Sequence, residues 1–184
     1  MPSITEYASA ASGTSWTNAT NANAEDATNA TYTIAVKNTT GNVNILSNFG
    51  FDSSLPADAI ITSVTLEVSH FVSSTGGIAH LESALALNGT PGTFNTDSTE
   101  PTTATAVVYS NHARPGGGTW TRADLLDAVF TVQLRARSGN SATSVVYSWD
   151  YARVVVVYTQ PKVAFNNYVT GFKSVGLSVG ERIR

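Results

Sequence analysis

Cysteine is absent from this 184-residue chain, and methionine occurs once, as Met1. Disulfide scaffolds, cysteine-based zinc sites and thiol nucleophiles are therefore excluded. Charge is scarce too. Asp, Glu, Lys and Arg make up 12% of the residues, about half of the ~25% usual in globular domains. The net charge of −3 lacks the basic excess of a nucleic-acid binder. Too little Glu, Lys and Leu is present for a coiled coil. No apolar run approaches the ~18 residues of a membrane-spanning helix. The opening MPSITEYASAASG has neither the charged nor the apolar region of a secretory signal, so none is expected.

What is present is small and β-forming. Ser and Thr number 45, and 42% of the residues are hydrophobic, enough to build a core and to argue against disorder. Four N-x-[ST] triplets begin at Asn18, Asn29, Asn38 and Asn88, as this composition produces by chance. Residues 1–30 are small and polar, and no element is assigned there. Strands with period-two alternation are predicted at Thr31–Val36, Ile60–Phe71 and Phe130–Arg137, with a longer one at Val145–Tyr158. Further strands are predicted at Val43–Phe51, Ile78–Leu87 and Ala106–Tyr109. The apolar run Val154–Val157 marks a central strand covered on both faces. Residues 88–105 are rich in turn formers and read as a long projecting loop. Gly116–Gly118 allow a bend before Trp120. Thr121 with Asp124 three residues on is a capping pattern for one helical turn within 120–128. The expected fold is an all-β antiparallel sandwich, jelly-roll-like, with one short helical turn. A closed barrel is the runner-up. Pro161 interrupts the pattern, dividing a 1–160 sandwich domain from a 161–184 C-terminal arm or extra strand.

The search for chemistry returns little. No G-x-S-x-G and no P-loop occurs. His70 lies on a predicted inner face and reads as a core histidine. His80 could face it across a hairpin, but no carboxylate is placed with them as a metal ligand. His112 sits in a loop beside Arg114. Asp97 and Glu100 share a loop, and Asp124 and Asp127 share the helical turn. Neither pair has the placement that glycoside hydrolysis needs. Calcium could use Asp97 or Asp52, but no D-x-[DN]-x-[DN]-G run supports it. Asp150, inside the long strand, reads as a structural acid wanting a partner such as Arg135, Arg137 or a backbone turn. For sugar binding the aromatic candidates are Trp16, Trp120 and Trp149. Trp120 and Trp149 sit where core residues are usual, and Trp16 is less constrained. No catalytic residue, metal or cofactor is expected, and the protein is not expected to be an enzyme.

Charge is uneven along the chain. Residues 1–100 hold nine acids and one base, and residues 101–184 hold four acids and nine bases. The arm carries Lys162, Lys173, Arg182 and Arg184 against Glu181. Phe165, Tyr168 and Phe172 would anchor it on a neighbouring copy, with Lys173, Arg182 and Arg184 meeting acidic surface. The alternative is an ordinary last strand with a basic tail.

Three stretches are distinctive: NFGFDSSLPADAIITSVTLEV at 48–68, GTWTRADLLDAVF at 118–130, and VVYSWDYARVVVVYT at 145–159. Their order resembles a family of jelly-roll-like β-sandwich virion proteins of tailed bacteriophages and prophages. Leu55, Pro56, Ala59, Ile61 and Val64 carry the first part. Trp120, Thr121, Ala123, Asp124 and Leu125 carry the second, and Val155, Val157 and Tyr158 the last. No catalytic residue carries over. The resemblance implies a virion structural protein that decorates or cements a capsid, or a minor tail protein. Its partners would be copies of itself and other virion proteins, with no nucleic acid or membrane. Its location would be the virion, assembled in the host cytoplasm. The alternative function is a carbohydrate-binding module for adsorption to a host-surface glycan.

Overall fold

A computed structural model describes residues 1–75, 80–96, 100–139 and 144–161. The strands are β1 (Ser3–Tyr7), β2 (Ala10–Ser12), β3 (Ala30–Ile34), β4 (Asn44–Ser47), β5 (Ile60–Val72), β6 (His80–Leu87), β7 (Thr90–Pro91), β8 (Asn95–Thr96), β9 (Thr105–Tyr109), β10 (Phe130–Arg137) and β11 (Val145–Thr159). They form two antiparallel sheets, the expected all-β sandwich. One sheet has the order β1-β11-β5-β9, with β3 also on β11. The other runs β2-β4-β10-β6-β7, with β8 also on β6. Strand β11 is the spine of the first sheet. β5 pairs along almost all of one edge, while β3 and β1 share the other edge in succession.

The alternation decides which side chains enter the core. In β5, Val64, Leu66, Val68, His70 and Val72 face inward, opposite Val156, Val154, Ala152, Trp149 and Tyr147 of β11. In β10, Phe130, Val132, Leu134 and Ala136 face inward, opposite Leu87, Leu85, Ser83 and Leu81 of β6. One end of this core is aromatic. Phe130 meets Phe49 and Phe51 edge-on at 5.4 and 5.9 Å, and Trp120 closes over Phe130 at 6.2 Å. Such edge-to-face pairs suit the ring quadrupoles.

Several details differ from the sequence reading. Residues 1–30 contribute β1 and β2, edge strands of only five and three residues. Phe51 does not extend β4. It opens a single helical turn, α1 (Phe51–Ser54), entered through Gly50 at φ 82°. The expected turn after Trp120 is a 3₁₀ turn, Arg122–Leu125, and a second 3₁₀ turn spans Ala19–Ala22. β5 and β6 are consecutive but lie in different sheets, so the His70–His80 hairpin does not form. Within the projected 88–105 loop, β7 and β8 fold back onto β6.

Candidate functional site

A polar cleft of about 450 Å³ opens between the 92–95 and 110–117 segments. Its floor is held by main-chain bonds to both sheets. His112 N–H donates to the Val64 carbonyl of β5 at 2.8 Å, and Gly92 N–H to the Leu85 carbonyl of β6 at 2.9 Å. Trp120 Nε1 donates to the His112 carbonyl at 2.7 Å, tying the cleft to the aromatic end of the core.

His112 Nε2 lies 2.7 Å from Asn95 Nδ2. With the amide as donor, Nε2 is the acceptor and the proton sits on Nδ1. Burial lowers the His112 pKa from its ordinary 6.5, so the ring is neutral at pH 7. Asn95 Nδ2 also donates to the Ser83 carbonyl at 3.3 Å, which orients the amide.

Arg114 lines the cleft, but its charge is taken. It makes a two-pronged contact with Asp124, Nε–Oδ2 3.0 Å and Nη2–Oδ1 2.8 Å. Nη1 donates to the Gly117 carbonyl at 3.0 Å. Asp124 also accepts from Thr121 N–H at 2.9 Å, the capping pattern read in the sequence. The Arg114 hydrogen bonds above all, with the Thr121 bonds, hold the Asp124 carboxyl at about 2. Gly116, Gly117 and Gly118 have φ of 81°, 83° and 80°. That run of left-handed backbone carries Arg114 across to Asp124 and is open only to glycine at low cost.

The cleft therefore offers neutral donors and acceptors from Thr93, Asn95, Ser110, Asn111 and His112. No Asp or Glu is among its described lining residues. Three or more His, Asp or Glu side chains do not converge as a metal-binding group among the described residues.

The candidates from sequence fall elsewhere. Phe165, Tyr168, Phe172, Lys173, Arg182 and Arg184 lie outside the described residues, as does Asp97. Trp149 is fully buried, edge-on to His70 at 5.0 Å. Trp16 is buried as well, and its Nε1 donates to the Asn42 carbonyl at 2.7 Å. It is no exposed sugar platform. Asp52 accepts from Asp127 N–H at 2.7 Å, and Asp127 from Gly50 N–H at 2.9 Å. These two acids tie α1 to the 3₁₀ turn. Arg135 and Arg137 do not reach Asp150. They hold the buried Glu82 of β6, the strand paired with their own β10 in the second sheet. Asp150 instead meets a backbone turn, the alternative partner foreseen for it, through the N–H groups of Ala27 and Asp26. Asn95 was missed altogether. The only available signal was its place, with His112, in turn-rich segments that flank β9.

The strands and cleft define an antiparallel β-sandwich domain with a neutral polar recess at one end. No protein-family model matches the chain, and no curated protein matches it by sequence. Solved structures align with the chain at low TM-scores and low identities. A CBM4 structure aligns at a TM-score of 0.43 and 11% identity, over 86% of this chain and 94% of that one. TmCBM61 in complex with β-1,4-galactotriose aligns at 0.33 and 8%, over 86% and 89%. A structure from infectious bursal disease virus, Gx strain, aligns at 0.29 and 14%, over 77% of this chain and 33% of that one.

Proposed function

We propose that this chain is a non-enzymatic glycan-binding β-sandwich of a bacteriophage particle, with the cleft beside His112 taking a neutral, hydroxyl-rich unit of a surface glycan. One observation carries the reading: the cleft presents neutral hydrogen-bonding groups while Arg114, the one cation among its described lining residues, is paired with Asp124. A sugar offers hydroxyls that both donate and accept, which suits Asn95, Ser110, Asn111 and neutral His112. Among the described lining residues there is no acid pair of the kind glycoside hydrolysis uses. With no Trp, Tyr or Phe among the described lining residues, the expected affinity is modest, with Kd on the order of 1 mM. The location on a phage particle rests on the sequence resemblance at 48–68, 118–130 and 145–159. An array of neutral and acidic host glycans tests the reading. Neutral glycans should bind, and Asn95→Ala and His112→Ala should each weaken binding about tenfold while leaving the circular dichroism unchanged. Binding that ignores both substitutions would refute the site.

A second reading has its own observation. The outward face of the first sheet sets Ser3, Thr5, Ser63, Thr65, Val155 and Val157 side by side, with no charge. A flat, uncharged patch suits protein contact, since interface cores are depleted in charge. It supports a decoration or cement role among copies of this chain and other virion proteins. The solution mass with and without residues 162–184 tests it. An oligomer that dissociates on truncation favours this role, and a monomer in both forms that also fails to sediment with particles counts against it.

A further inference from the structure

The segment 23–27 folds over an irregularity in β11. The register of β11 against β5 slips between Trp149 and Tyr151, leaving Asp150 as the extra residue of a β-bulge. Bulges of this kind re-aim a side chain. Asn23 forms an antiparallel bridge with Tyr151, next along the strand. Three residues later, Asp26 and Ala27 direct their N–H groups at the Asp150 carboxylate. The 23–27 segment thus lies against the carboxylate.

Asp150 is only 9% exposed. Its Oδ1 is inaccessible to solvent and has no hydrogen-bond partner. The Oδ1 of Asn23 is in the same condition. Buried acceptors without donors are costly and rare. Two of them on adjoining backbone segments point to a shared missing partner. The charge around them is negative. Burial first, then the charges of Asp26 and Glu25, raise the Asp150 pKa against the pull of the two N–H groups. Arg153, three residues on in β11, is committed to Glu25, Glu67 and the Tyr7 hydroxyl. A water molecule could donate to both oxygens but would leave that charge standing. A cation answers both deficits.

The ligand chemistry narrows the choice. One carboxylate oxygen and one amide oxygen are hard oxygen donors. Ca²⁺ accepts such sets with variable geometry, whereas Mg²⁺ demands a near-ideal octahedron. We propose that Asp150 and Asn23 form the buried side of a calcium site that clamps the 23–27 segment onto the bulge of β11. With one well-buried carboxylate, the site belongs to the weak class, with Kd roughly 0.1–1 mM.

The test uses the full chain, freed of metal with a chelator, and calcium chloride as the probe. Titration calorimetry should show one site. Thermal unfolding in 10 mM calcium should rise by roughly 5 °C over the chelated protein, and magnesium at equal ionic strength should give little of that shift. Asp150→Asn should abolish it. Should that variant fail to fold, Asn23→Ala at the half-buried start of the turn should weaken calcium binding at least several-fold. A wild-type chain that shows neither heat nor a thermal shift would overturn the site. So would a calcium shift that survives the Asn23 and Asp150 substitutions unchanged.

Discussion

Glu100 and His70 meet in the interior at 3.1 Å, Oε2 to Nε2, with side chains 1% and 0% exposed. The other carboxylate oxygen accepts the Leu81 N–H at 2.8 Å. His70 belongs to β5 in one sheet and Leu81 to β6 in the other. A residue from the connection between β8 and β9 thereby ties both sheets together. The next residue continues the tie, since the Pro101 carbonyl accepts the Val72 N–H at 2.9 Å.

Removing Glu100 should therefore cost more than an ordinary loop substitution. Glu100→Ala leaves the Leu81 N–H and His70 without this partner, and a loss of about 3 kcal/mol is expected. Glu100→Gln keeps an acceptor for Leu81 and should cost clearly less. Urea denaturation with an unchanged m-value reads this out, and equal costs for the two variants would refute the role of the Leu81 contact.

Asp124 makes a case in acid. Its folded pKa is held at about 2, below the ordinary 3.8. A lowered carboxyl contributes stability that is full above 3.8 and is lost as pH falls through about 2. Thermal midpoints of the wild type should fall between pH 4 and pH 2 more steeply than those of Asp124→Asn. At pH 7 that variant should be less stable by about 1 kcal/mol, the usual worth of a cap.

Trp16 bears on how sugar binding is probed. Its ring is 8% exposed and lies 5.3 Å from that of Tyr32. Trp16→Ala should destabilise the fold by about 3–5 kcal/mol, so any loss of glycan binding in that variant would report unfolding. Calorimetry of Trp16→Ala beside His112→Ala separates the two effects.

The glycine run offers a purely backbone test. A Cβ on Gly117 would meet nothing within 4 Å, yet φ there is 83°. Gly117→Ala should cost about 1–2 kcal/mol through conformation alone. Weakened glycan binding should accompany that cost, because the Gly117 carbonyl positions Arg114.

His112 sets the pH range of the cleft. Burial lowers its pKa below 6.5, so the neutral ring persists somewhat into acid. Its contribution to stability is full above 6.5 and is lost as pH falls through the lowered value. Glycan affinity should be flat from pH 8 to pH 6.5 and should drop in more acid solution, as Nε2 gains a proton and ceases to accept from Asn95. Titration calorimetry across that range, with His112→Ala as the flat control, provides the check.

The sequence by itself determined the strands and their faces. Phe130–Arg137 was legible to the residue, and β5 and β11 to within one or two positions, because alternation is local and repeats every second residue. The capped turn at Thr121–Asp124 was legible for the same reason: both partners lie within one turn of chain. Only the tertiary structure decided which sheet each strand joined. Strand ladders are made by backbone groups that every residue carries, so β5 and β6 gave no sign of parting to opposite sheets. It also decided that Trp16 is buried, that Glu100 spans the core, and that His112 meets Asn95. Each of those contacts joins residues 17 or more apart in the chain, and such meetings follow from how the sheets pack and not from any local pattern.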